Sequence, residues 1–268
     1  KLYNEAIKHF DLTDFGNSKT LQLECVYISE DKDMFLKKQS ELVQKNISNS
    51  LIGCLSSHAS VRYAVPEKNP FCGKPLSFVF HKNLISDLSL KSELIGNIAK
   101  VAKDRLVDSR KQNLLKGGLQ SAGNAFLLDN SHIKDLKVLI ENQINEYRSH
   151  FSASSDNFIK RWPKNYELYG WFVTMEPGGS LDAHMHREGW LSGSLYIDIP
   201  ESKNKEEGNI VFSLDGADYP TNENRFPEMV VDISTGDICM FPSSLFHYTV
   251  PFFSSEKRIT FAFDIIPK

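Results

Sequence analysis

The chain has 268 residues, 41% hydrophobic and 24% charged, with a formal net charge of −3. That length can bury a sizeable core in one large domain or two smaller ones, and the composition is ordinary for a soluble globular protein. Charges of both signs are interspersed, which argues against a broad nucleic-acid or anionic-membrane surface, and no apolar run approaches the roughly 18 residues of a membrane-spanning helix.

The spacing of apolar residues predicts helices in the first half of the chain. Residues 33–49 read as one, with irregular spacing. Asn69-Pro70-Phe71-Cys72-Gly73 is a turn at the edge of this helical part. Residues 89–110 read as a second helix through Leu90, Leu94, Ile95, Ile98, Val101, Ala102 and Leu106. The clearest covers 132–151, where Ile133, Leu136, Ile140, Ile144, Tyr147 and Phe151 form one apolar stripe. Ser131 is its expected N-cap, with Asp135 in the first turn.

Near residue 155 the pattern changes to short strands rich in Val, Ile, Phe, Tyr and Thr: 168–175, 181–186, 191–199, 209–213, 228–232, 237–241, 245–251 and 258–266. Turn residues separate them, at Glu176-Pro177-Gly178-Gly179, in the polar run 201–208, and at Ser234-Thr235-Gly236-Asp237. Such a run of short strands predicts a sandwich or jelly roll. The long polar connection 214–227 reads as a lid. The expected architecture is α+β. A mainly helical region (1–115) buttresses a jelly roll (116–268), with the 132–151 helix on the outside of one sheet.

Three of the eight histidines fall among the strands. His184 and His186 are two apart, so on a strand both imidazoles share one face. His247 follows a glycine turn and a short apolar strand, and sandwich folding brings such strands together around one ion. Imidazole suits iron, nickel, copper or zinc, so the ligand set does not name the metal. Arg258 and Thr260, also at i and i+2, could hold a carboxylate between guanidinium and hydroxyl. A strand arginine is otherwise expensive to bury. The remaining histidines, His9, His58, His81, His132 and His150, read as ordinary polar residues. No nucleotide-binding loop and no nucleophile elbow is present.

His184-Met185-His186, then Leu191-Ser192-Gly193-Ser194-Leu195-Tyr196, then the segment from Gly236 to Ser243 with His247, and finally Arg258-Ile259-Thr260 together resemble the 2-oxoglutarate/iron(II)-dependent oxygenases. The resemblance covers residues 120–268 and implies a double-stranded β-helix, the jelly roll that cupins share. It implies iron(II) at His184, His186 and His247, and 2-oxoglutarate and dioxygen as cosubstrates. Arg258 and Thr260 would bind the distal carboxylate, with Ser192 and Ser194 adding hydrogen bonds. It further implies oxidative decarboxylation to succinate and carbon dioxide, with a hydroxylated product. Most of that superfamily has a carboxylate where this chain has His186. Glu188 offers a competing HxE register, although Gly189 places it in a turn. Tyr169, Trp171, Phe241 and Phe246 are candidates to line the pocket.

A cupin-type metalloprotein is the main alternative, since Gly178 ahead of HxH and Gly236…Pro242…His247 copy parts of the cupin motifs. A non-catalytic β-sandwich binding module is another, and it would leave the three histidines dispersed. The substrate can be a small molecule, a peptide or a protein side chain; no nucleic acid or membrane partner is expected. Four scattered cysteines (Cys25, Cys54, Cys72, Cys239) with no CxxC pair favour the reducing cytoplasm. The chain begins at Lys1, not methionine, which leaves room for a segment upstream.

Overall fold

The first quarter of the chain forms four helices: α1 (Leu2–Asp11), α2 (Ser18–Ile28), α3 (Lys32–Gln44) and α4 (Ser50–Tyr63). Helix α3 falls largely within the expected 33–49, whereas α1, α2 and α4 lie outside any expected helix. In α4, Leu51, Ile52, Leu55, Ser56, Ser57, His58 and Ala59 are all buried, so no amphipathic stripe marks it. The computed structural model describes every residue except 1, 14–16, 87–89, 106–108, 110–111, 202–203 and 205, and leaves aside the side chains of residues 4 and 11.

Next come β1 (Phe80–Asn83), α5 (Ser92–Arg105), β2 (Leu115–Gln120), α6 (Ser131–His150) and α7 (Asn157–Lys160). Helix α5 is shorter than the predicted 89–110, and Leu106 lies outside the described residues. The cap of α6 is Asn130 rather than Ser131. Its Oδ1 accepts from the backbone N–H groups of His132 and Ile133, which moves Asp135 out of the first turn.

The remaining chain is strand: β3 (Tyr166–His184), β4 (Leu191–Asp198), β5 (Ile210–Ser213), β6 (Glu228–Val231), β7 (Asp237–Pro242), β8 (Phe246–Thr249) and β9 (Arg258–Pro267). All pairings are antiparallel, in the order β1-β7-β4-β9-β3-β8-β5-β6, with β2 also on β3. The expected strands 168–175 and 181–186 are one. Glu176-Pro177-Gly178-Gly179 bends β3 instead of ending it, with Gly178 at φ +77°. Before the bend β3 pairs with β9; beyond it, with β8. One bent strand thus joins the two parts of the nine-stranded sheet in the double-stranded β-helix. Because β1 lies within residues 1–115 and pairs with β7, part of the region expected to be helical belongs to the sheet.

Side-chain alternation then separates two faces. The odd residues of β9 (Ile259, Phe261, Phe263, Ile265) join Leu191, Leu195 and Phe172 in the main core. There they meet the α6 stripe of Ile133, Leu136, Ile140, Ile144 and Tyr147. Each of these fully buried side chains is worth roughly 1.5–3 kcal/mol. The even residues Arg258, Thr260, Ala262 and Asp264 face an interior cavity. The inner face is therefore free for chemistry because the outer one carries the helix.

The 214–227 connection does not cover that cavity. It is docked on α2 and α4: the Tyr219 hydroxyl donates to Glu24, and the side-chain amides of Asn222 and Asn224 donate to the Arg62 carbonyl at the end of α4. His58 is completely buried between the Tyr27 hydroxyl and Asp215, 3.1 Å from its Oδ1, so it is no ordinary polar residue. Burial pulls its pKa down to about 4 against the opposing pull of Asp215. An unfolded chain takes up this proton near 6.5 and the folded one only near 4, so folding stability falls as pH drops through that window. Denaturant titrations of metal-free protein should show this fall, shallower in His58→Leu. An equal slope in both proteins would mean that His58 titrates normally.

Candidate metal centre

His184 is the last residue of β3, and its register partner across the pair with β8 is His247. His186 lies two residues beyond the strand and stays on the same side, as the HxH spacing predicts. The three rings converge, with candidate ligand atoms all within 4.8 Å of one another. The Nε2 atoms of His184 and His186 are 3.3 Å apart, the separation expected of two nitrogens sharing one ion at about 2.1 Å.

Each Nδ1 is already engaged. His184 donates to the Asp182 carbonyl (2.9 Å), His247 to the Leu245 carbonyl (3.3 Å) and His186 to Asp264 Oδ1 (2.7 Å). These bonds select the tautomer whose Nε2 lone pair faces the common point. Burial, then the neighbouring His186, lowers the His184 pKa to about 4. Burial, then the other two imidazoles, pushes His247 well below its usual value. Both are neutral near pH 7 and available as ligands. Glu188 is exposed in the turn after His186, outside the cluster.

Helices from the first quarter hold this loop. Arg187 makes two bonds to the Glu24 carboxylate (2.6 and 2.5 Å), and Ser50 Oγ donates to the Arg187 carbonyl (2.7 Å). Nothing in the spacing of α2 or α4 announces these contacts.

A cavity of about 470 Å³ joins the three histidines to Arg258 and Thr260. Arg258 is 2% exposed and its guanidinium lies 5.2 Å over the Tyr196 ring. Nη1 donates to the Gly208 carbonyl, Nε has no partner, and among the described residues no carboxylate pairs with it. Burial lowers its pKa, yet an arginine keeps its charge. Among the described residues, the buried cation therefore has no counter-ion. Tyr169, Trp171 and Phe241 line the cavity as expected; Phe246 instead packs on Tyr219 in the helical core. Ser194 is on the cavity wall. Ser192, of the same strand parity, lies behind His186 instead of at the clamp, its hydroxyl donating to Asp264 at 2.6 Å.

Residues 169–264 match the model of a family described as "Putative 2OG-Fe(II) oxygenase". Over that segment, the chain resembles the 2-oxoglutarate/iron(II) oxygenases. Solved structures of such oxygenases share its fold. A prolyl-4-hydroxylase from Pseudomonas putida is 14% identical (71% of this chain, 92% of that one) with a TM-score of 0.50. HygX from Streptomyces hygroscopicus, solved with nickel and 2-oxoglutarate bound, is 12% identical (71% and 83%) with a TM-score of 0.50. The non-heme α-ketoglutarate-dependent epimerase SnoN from nogalamycin biosynthesis is 13% identical (70% and 78%) with a TM-score of 0.52. No curated protein matches the chain in sequence. Among the described residues, no helix is long and apolar enough to cross a membrane.

Proposed function

We propose that this chain is a 2-oxoglutarate- and iron(II)-dependent dioxygenase that hydroxylates a small molecule, a peptide or a protein side chain. The observation that carries this reading is the buried, uncompensated Arg258 in the same cavity as three converging imidazoles. An unpaired buried charge is destabilising unless a ligand of opposite sign completes it. A dicarboxylate that reaches the ion at one end and the guanidinium at the other supplies that partner. A cupin-type protein would leave Arg258 without one.

The donor set fits the metal: three imidazoles on one side would leave open positions for a chelating cosubstrate and dioxygen. When bound, iron(II) and 2-oxoglutarate supply the oxidising chemistry, with succinate and carbon dioxide as coproducts. The residues of the chain do the rest. His184, His186 and His247 hold the ion. Arg258 fixes the distal carboxylate by charge-assisted bonds, and the Thr260 hydroxyl donates to it. Ser194 lines the cavity wall, whereas Ser192 supports His186 through Asp264. Trp171, whose ring lies 5.6 Å from that of His186, and Phe241 keep bulk water from the ion. The four cysteines are free thiols, three of them buried, which suits a cytoplasmic setting.

Succinate release tests the proposal. Purified protein with iron(II), ascorbate and labelled 2-oxoglutarate should produce succinate above the metal-free control even without a prime substrate, and a chelator should stop it. Turnover that persists after chelation, or none under any loading, would rule the reading out.

A further inference from the structure

His184 and His247 are set by a paired backbone, whereas His186 has left its strand. It is held by its N–H on the Ser243 carbonyl (3.1 Å) and by its ring on Asp264. Asp264 comes from β9, on the same face as Arg258 and Thr260, and its carboxylate is nearly buried. Ser192 donates to the same Oδ1 (2.6 Å) and stands 2.8 Å from Ser243 Oγ. Both serines are fully buried. The loop pays a steric toll for this network: a Cβ at Gly189 would lie 2.4 Å from Ser243 Oγ and 3.5 Å from Asp264 Cγ. Such a constellation is more than one imidazole needs for orientation, since backbone carbonyls suffice for the other two. What it adds is charge. The three imidazoles bring no negative charge, Glu188 is out in the turn, and Arg187 is matched by Glu24.

We infer that Asp264 is a positioning residue that supplies, through His186, the negative charge the ligand set lacks. The carboxylate stands one hydrogen bond behind the ion instead of on it. By polarising the His186 N–H, it makes Nε2 a stronger donor. Gly189, Ser192 and Ser243 keep it in place. This rests on the metal site proposed above.

Cobalt(II) titrations by calorimetry and visible absorption test it without turnover. Asp264→Asn keeps an acceptor oxygen for His186 and Ser192 but removes the charge. It should weaken cobalt(II) binding about tenfold and change the visible spectrum; Asp264→Ala should cost about a hundredfold. Melting of the metal-free Asn variant should stay close to that of the parent. The decisive comparison moves the carboxylate onto the ion. His186→Asp alone should bind poorly, with two carboxylates crowded together, and adding Asp264→Asn should restore affinity to within a few-fold of the parent. Equal affinity in the parent and Asp264→Asn, or a double variant no better than His186→Asp, would overturn the inference. A parent protein that binds no cobalt(II) would instead remove the metal site itself.

Discussion

His184→Ala and His247→Ala are each expected to abolish iron(II)-dependent turnover of 2-oxoglutarate while leaving a folded protein. The two residues are cross-strand neighbours with ring centroids 4.3 Å apart, and each offers one Nε2 to the shared point. Losing either leaves two nitrogens, too few to hold an ion on one face. The drop in metal affinity should exceed the roughly 10–100-fold that follows loss of a supporting partner. The fold should survive because its two largest hydrophobic clusters lie elsewhere: under α6 on the outer face of β4 and β9, and between α2, α3 and α4. Truncating a buried side chain of this size usually costs about 1–3 kcal/mol. Circular dichroism and metal titration of the same samples separate the two effects. Retained turnover in either variant would mean that the ion sits somewhere else.

Arg258→Met should raise the 2-oxoglutarate concentration needed for half-maximal turnover by roughly ten- to 150-fold, because a hydrogen bond to a charged group contributes about 1.5–3 kcal/mol. Iron(II) affinity should barely change, since no metal-ligand contact involves Arg258. Stability gives an opposite and independent signature. The free protein buries the guanidinium without a carboxylate, and replacing such a charge by an apolar side chain of similar volume is often neutral or stabilising. The variant should therefore melt at the parent temperature or above it while binding cosubstrate far less well. An unchanged 2-oxoglutarate requirement would place the clamp on another residue.

The candidate metal centre is legible in the sequence because strand periodicity is two and its residues follow it. His184 and His186 share a face by that rule, as do Arg258 and Thr260. Extending the same parity by four residues from Thr260 reaches Asp264, on the same face of β9. Other features leave no periodic signal. Helix α4 is buried on nearly every side, and β1 is four residues long, so neither has a face to alternate. The kink at Gly178 looks like a turn in the sequence because the same residues serve both purposes; only the pairing of β3 with two different strands tells them apart. The docking of 214–227 depends on partners more than 150 residues away, such as Glu24 for Tyr219 and Arg62 for Asn222. A polar loop in sequence is thus a bridge between the helices and the sandwich in space.

The most direct measurement is the visible absorption of the protein under strictly anaerobic conditions as iron(II) and then 2-oxoglutarate are added. A weak charge-transfer band is expected that needs both additions, disappears in His247→Ala, and in Arg258→Met returns only at much higher 2-oxoglutarate. Absence of the band at saturating iron(II) and 2-oxoglutarate in the unmodified protein would contradict the proposed function.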